Sequence, residues 1–297
     1  MSMIMPMALV STQRMAIIQK LIEEHGVVWY SNYSWRPGRL FSAVNRAISF
    51  FVVAPSLEKQ TFSTKYKKWL SETRDYLLPS IEYAEVPADR SHYWVPKLGT
   101  KSEEKLLKKF LSIETRLGLF ISKSPYLVYY RTTGGLYWKV FTDFPPAFIV
   151  KGLHGHSTRE TSFGLIEKQL VLPTIAVLSS DVFWWWYTIT TNLRDLNPSD
   201  IINFLIPQKA LYDPQLSHLG EVYLDDVKKN SSMLVREQKQ TGRTETQSFK
   251  IQKSKSIIND IDNILAKHYG FTDEELDFII NYDIKYRMGI DTDEEGE

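Results

Sequence analysis

The sequence predicts an α/β region followed by an α+β region, and three observations carry that expectation. Residues 1–57 run as apolar strand, amphipathic helix and apolar strand. Residues 95–225 mix a basic amphipathic helix, a hairpin signal at Gly134-Gly135 and a long apolar run. The chain then closes with strongly periodic helices. Strands alternating with helices are the pattern of an α/β sheet, and segregated strands and helices that of an α+β domain. With 297 residues, 43% of them apolar, the chain can bury a sizeable core.

Each element has its own signal. Residues 2–10 (SMIMPMALV) predict a buried strand. Ser11 or Thr12 then caps a helix with Met15, Ile18, Leu21 and Ile22 on one face, ended at His25-Gly26. Residues 27–30 start a second strand, and residues 31–39 (SNYSWRPGR) form a loop turning at Pro37-Gly38. Residues 47–53 (AISFFVV) are a third strand. Residues 58–94 are polar, contain Pro79 and Pro87, and read as a connector.

At Thr100-Lys-Ser-Glu103 a capping box opens the helix KSEEKLLKKFLSI. Residues 126–130 and 136–141 flank the Gly134-Gly135 turn as a hairpin. The stretch SSDVFWWWYTITTNLRDLN holds Trp184, Trp185 and Trp186 in succession. Helix and strand both suit it. On a helix the three rings point about 100° apart, and on a strand they alternate, so one core face cannot take them all. Another domain, a partner chain or nucleic acid are the candidates for the remainder. Residues 256–269 form an amphipathic helix stopped by Gly270, and Thr272-Asp-Glu-Glu275 caps the next. The resulting divisions are 1–57, 58–94, 95–225 and 226–297.

The net charge of +1 conceals an asymmetry. From Asp273 onward ten acids face only Lys285 and Arg287, so residues 1–272 carry +9. A basic body suits a polyanionic partner and equally fits ordinary surface charge. Cysteine is absent, which excludes disulfides and thiolate metal sites and fits a cytoplasmic location. No apolar run reaches membrane-span length, and residues 1–10 lack the basic region and cleavage site of a signal peptide.

No glycine-rich phosphate loop and no nucleophile triad can be found. His154-Gly-His156 lacks a third metal ligand at useful spacing. Asp226, Glu237 and Lys239 supply only a weak nuclease-like pattern. What remains is basic and aromatic: Arg131, Tyr137, Trp138 and Lys139 on the hairpin, Arg194 after the tryptophans, and the stretch 228–255 with Lys228, Lys229 and Arg236. Such clusters hold phosphates and read grooves. A core tryptophan and a solvated loop are the competing readings.

Taken in order, several segments resemble one family. Residues 3–21 (MIMPMALVSTQRMAIIQKL) and 28–53 (VWYSNYSWRPGRLFSAVNRAISFFVV) resemble the late motifs of γ-type adenine-N6 DNA methyltransferases, including type IIG restriction–modification enzymes. Residues 129–146 (YYRTTGGLYWKVFTDFPP) and the tryptophan stretch resemble their target recognition domain, and residues 253–289 their C-terminal signature. The resemblance implies a partial Rossmann-like methyltransferase sheet, then a mixed target recognition domain and C-terminal helices. It implies double-stranded DNA as partner and S-adenosylmethionine as cofactor of the complete enzyme, with no metal. It gives Phe41 the position that stacks on the extruded adenine, core packing being the alternative, and adds Arg36 and Arg39 to the DNA-binding set.

The F-x-G-x-G cofactor loop and the catalytic N-P-P-Y tetrapeptide are missing, and Asp143-Phe-Pro-Pro146 comes too late to replace the latter. No catalytic residue is therefore assigned to this chain, and S-adenosylmethionine is not expected to bind it alone. A separate subunit carrying the absent motifs is expected. A non-catalytic remnant or structural interaction protein is the alternative, with an independent metal-dependent nuclease third.

Overall fold

The computed structural model of the chain describes residues 1–87, 92–133, 138–238 and 242–288. It is a mixed α/β structure with three sheets. Two compact units divide the described residues: Met1–Lys109 with Trp186–Leu193, and Phe110–Trp185 with the described residues from Arg194 to Met288.

The first unit is built on a five-stranded sheet. Its elements are β1 (Ser2–Pro6), α1 (Ala8–Ser11), α2 (Ala16–Glu23), β2 (Gly26–Tyr33), β3 (Ile48–Pro55), β4 (Gln60–Lys67), β5 (Ala84–Glu85) and α3 (Lys101–Leu111). The order is β1-β3-β2-β4-β5, and only the β2–β4 pair is parallel. Val28, Tyr30, Phe51 and Val53 meet Leu9, Val10 and Ile22 in the core. At the predicted capping box the Glu103 amide donates to Thr100 Oγ1 at 3.2 Å, and the Glu103 carboxylate accepts the Gly99 amide at 2.8 Å.

Three expectations are corrected here. The predicted buried strand 2–10 is a short edge strand followed by a helical turn. β1 pairs only with β3, which leaves Met3 and Ile4 about half exposed, while Leu9 and Val10 bury from α1. On α2 the buried residues are Gln19 and Ile22; Ile17, Ile18 and Leu21 face solvent. Finally, the connector contains β4, an interior strand. Its buried positions include Ser63 and Thr64, which bond to Asn32 of β2: Nδ2 donates to Ser63 Oγ at 3.0 Å and to the Thr64 carbonyl at 2.9 Å. A polar interior that satisfies itself is compatible with burial and hides the strand from an apolar-run search.

The second unit holds β6 (Ile121–Arg131), β7 (Phe141–Thr142), β8 (Phe148–Val150), β9 (Leu153–His154), β10 (Glu160–Leu165), α4 (Val171–Ser179), the start of α5 (Asp181–Thr190), α6 (Pro198–Ile202), α7 (Pro214–Lys229), β11 (Ser231–Gln238), β12 (Gly242–Phe249), α8 (Lys255–Tyr269), α9 (Asp273–Asn281) and α10 (Ile284–Arg287). Its sheets have the orders β10-β6-β7 and β11-β12-β8-β9. The β6–β10 register shifts at Gly164, where a Cβ would lie 2.6 Å from the Ser122 carbonyl oxygen. The expected hairpin partners do pair, Tyr129 with Thr142 and Tyr130 with Phe141, but residues 138–140 are not strand. The Gly134-Gly135 turn and Tyr137 lie outside the described residues.

The tryptophan run is helical and wholly buried, which is how a helix apolar on every side is accommodated. In the second unit Trp185 packs on Phe110 with ring centroids 5.3 Å apart. In the first unit Trp186 meets Trp94 edge-on at 5.5 Å. There the buried Lys97 donates from Nζ to the carbonyls of Ile189 at 3.0 Å and Thr191 at 2.7 Å, satisfying α5's last turn. The C-terminal helices follow their local signals: Gly270 takes the left-handed conformation, and Thr272 and Glu275 close a capping box. No single helix among the described residues is long and apolar enough to cross a membrane.

Candidate nucleic-acid interface

In the first unit, residues 34–47 join β2 to β3 beyond the carboxyl end of β2, which lies beside the carboxyl end of its parallel neighbour β4. Ligands of open α/β sheets bind at such ends. The loop is fixed from within. Leu40 and Val44 pack against Tyr33, Ile48, Trp69 and Leu77. Gly38 donates its amide to the Trp69 carbonyl at 2.8 Å, and any Cβ there would meet the Trp69 ring at 2.5 Å. Arg74 donates to the carbonyls of Arg39 and Leu40 at 2.8 and 2.7 Å.

With those neighbours supplying the core, Phe41 is left 42% exposed. Core packing is therefore not its role. Arg36 is exposed and lies over the Trp35 ring at 4.2 Å. Arg39 is exposed too, but its guanidinium donates to Asn45 Oδ1 at 2.7 Å and the Ser42 carbonyl at 3.2 Å, so it shapes the loop.

In the second unit, Arg159 and Arg236 lie near enough to Arg131 for their charges to act on it. Arg131 ends β6, Arg159 precedes β10, and Arg236 sits on β11; all three are exposed. Partial desolvation lowers the Arg131 pKa, and the charges of Arg159 and Arg236 lower it further, while Glu160 opposes them. Among the described residues none of the three arginines has a carboxylate within 4.0 Å, so their donors stay open to a ligand. Sequence reading chose Arg131 and Arg236 but missed Arg159, which follows a His-rich loop and reaches the cluster only through pairing: Thr132 donates to its carbonyl at 2.8 Å. Arg194, 81% exposed and 3.6 Å from Asp195, lies next to this end of β6, because Asp195 bridges Thr133.

The remaining predicted contacts lie elsewhere. Trp138 and Lys139 are buried, which corrects their placement on a DNA-facing surface. Trp138 Nε1 donates to the Arg287 carbonyl at 2.9 Å. Burial pulls the Lys139 pKa down to about 8 against the opposing pull of Asp195 and Asp200. Lys228 and Lys229 occupy the last turn of α7 and not a loop; Lys228 sits 4.8 Å over the Phe144 ring and 4.0 Å from Asp143. Arg236 is five residues along β11 from its start, roughly 17 Å away, so these lysines do not join the arginine cluster.

Two other chemistries find little support. Among the described residues no group of three or more His, Asp or Glu is placed to hold a metal ion. Asp226 accepts from Ser254 Oγ at 2.6 Å, Glu237 lies out on β11, and Lys239 falls outside the described residues. A cleft of about 300 Å³ opens at the amino end of β4, lined by Lys20, Glu23, Glu24, Lys59 and Glu85. Its mixed charges do not make the apolar pocket with a few convergent polar groups that small ligands favour. The chain matches no protein-family model and no curated protein.

Proposed function

We propose that this chain is the DNA-binding and target-recognition portion of an adenine-N6 DNA methyltransferase of a restriction–modification or related defence system, acting in the cytoplasm with a partner chain that supplies the cofactor site and the catalytic motif. The observation that carries this reading is the exposed cluster of Arg131, Arg159 and Arg236, three cations held together with no acid closing on them. Like charges so placed repel one another, and a phosphate backbone relieves that repulsion.

The first unit is read as the tail of a Rossmann-like methyltransferase sheet and the second as the target recognition domain with its C-terminal helices. Phe41, exposed on a braced loop, supports the role of stacking on an extruded base. Extrusion costs a few kcal/mol, which stacking helps to offset. S-adenosylmethionine belongs to the complete enzyme and is bound by the partner. The half-exposed edge strand β1, and Ile17, Ile18 and Leu21 on α2, favour a further polypeptide on the first unit.

Fluorescence-anisotropy titrations of the chain with duplex DNA across a range of salt concentrations test this reading. Affinity should fall steeply with salt, by about 0.9 log unit per log unit for each phosphate contact. The chain alone should transfer no methyl group, and adding a subunit with the missing motifs should restore transfer. Absence of duplex binding, or methylation by the isolated chain, would overturn the assignment.

A further inference from the structure

The cluster also contains an acid in a place where a pure phosphate clamp has no use for one. Glu160 stands directly opposite Arg131 in the antiparallel β6–β10 ladder, so both side chains rise from the same face. Directly opposed residues have Cβ atoms about 5 Å apart. Even so, no ion pair of 4.0 Å or less joins them, and neither spends its hydrogen-bonding groups on the other. Burial raises the Glu160 pKa, and Arg131 and His156 offset only part of that rise, so the carboxyl group sits beside a cation in a partly dry place. An acid inside a phosphate-facing patch repels the backbone, but it is a fitting acceptor for an exocyclic amine.

A major-groove base edge offers that combination. Guanine presents two acceptors, O6 and N7, next to the N4 donor of its paired cytosine. An arginine fork and a carboxylate side by side match this pattern. A two-stranded ribbon also fits the groove, and the ladder from β6 to β7 stops at Tyr130, one residue before Arg131. Resting on the DNA-binding reading above, we infer that Arg131 and Glu160 together read one C·G base pair. Arg131 donates to guanine O6 and N7, Glu160 accepts from cytosine N4, and Arg159 and Arg236 hold the flanking phosphates.

Selection from a duplex library with a randomised core tests this, using the full chain and the variants Arg131→Ala, Arg131→Lys, Glu160→Ala and Arg159→Ala. Thermal unfolding of each variant confirms that it is folded. The wild-type chain should enrich a motif containing one fixed C·G pair. Arg131→Ala and Glu160→Ala should each relax preference at that pair alone, by about tenfold or more. Arg131→Lys should relax the same pair while leaving the salt dependence unchanged, since it keeps the charge and loses the fork. Arg159→Ala should weaken all sequences alike.

If Arg131→Ala and Glu160→Ala lower every sequence equally, or relax different positions, the paired readout is wrong although DNA binding stands. A wild-type chain that retains no duplex ends both readings.

Discussion

Arg287 and Arg131 carry the same group within the same unit, and their surroundings give them opposite tasks. Arg287 is 1% exposed. Its guanidinium bonds Asp181 at the start of α5, lies 3.8 Å over Trp138 and is 5.2 Å from the Trp184 ring. Lys255 reaches the other oxygen of Asp181 at 2.8 Å. Asp262 accepts the amides of Asp181 at 3.2 Å and Val182 at 3.1 Å, capping the helix. Every charge there is answered inside the protein. Around Arg131 the neighbours are cations and one acid that does not close on it. The comparison teaches that residue type says little; whether the protein itself completes the charge decides between scaffold and contact.

The sharpest way to break this contrast is Arg287→Ala. It removes one of the two cations on the buried Asp181, leaving Lys255 alone to answer it, and loss of one partner of a buried ion pair costs up to about 3–5 kcal/mol. Denaturant unfolding should show that loss. A cost below about 1 kcal/mol would mean that Arg287 is no more structural than a surface arginine.

Lys139 stands between the two classes: buried, with acids near, and a pKa drawn down to about 8 from 10.5. Between those values the unfolded chain binds the extra proton, so this group's contribution to stability is full above 10.5 and is lost as pH falls through about 8. Stability of the wild type relative to Lys139→Met should therefore rise over that alkaline range, by up to about 3 kcal/mol. A flat difference would show that Lys139 is solvated.

Asp262 has the opposite sign. Burial, and next the carboxylate of Asp181, raise its pKa well above the usual range. Its folded-state pKa exceeds the unfolded one, so its contribution is complete at low pH and is lost as pH rises through the folded value. Asp262→Asn imitates the protonated form. It should change stability by about 1 kcal/mol at acidic pH and remove this loss on rising pH from unfolding curves taken across pH. An unchanged slope would assign the loss to another group.

How much of this was legible in the sequence follows from how far apart the determining residues lie. The caps at Thr100 and Thr272 span three residues, and both were readable. The buried fate of Trp138 depends on Arg287, 149 residues away, and nothing near Trp138 announces it. β4 was hidden because Ser63 and Thr64 are made fit for burial by Asn32 on another strand. α2 was misread for a related reason: its spacing marked a helix, but the sheet it packs on selected Gln19 and Ile22 over Ile18 and Leu21. In the candidate interface Arg131, Arg194 and Arg236 could be proposed from local composition. Arg159 and Glu160 join through strand pairing, which local composition does not encode.

The smallest expected effect on folding is the most informative about the interface. Arg131→Ala, Arg159→Ala and Arg236→Ala combined remove three exposed side chains that close no ion pair. Surface changes of this kind shift stability by about 0.5 kcal/mol or less each. Relief of mutual repulsion among the three even opposes a loss, so the melting temperature should stay or rise slightly. Duplex binding should respond strongly. Each phosphate contact removed lowers the salt slope by about 0.9, and Arg159→Ala with Arg236→Ala should account for most of that change. If the triple variant instead unfolds like Arg287→Ala, the cluster is scaffold after all. Should its salt slope equal that of the wild type, the three charges face no phosphate, and the basic body of the chain must grip DNA through another surface.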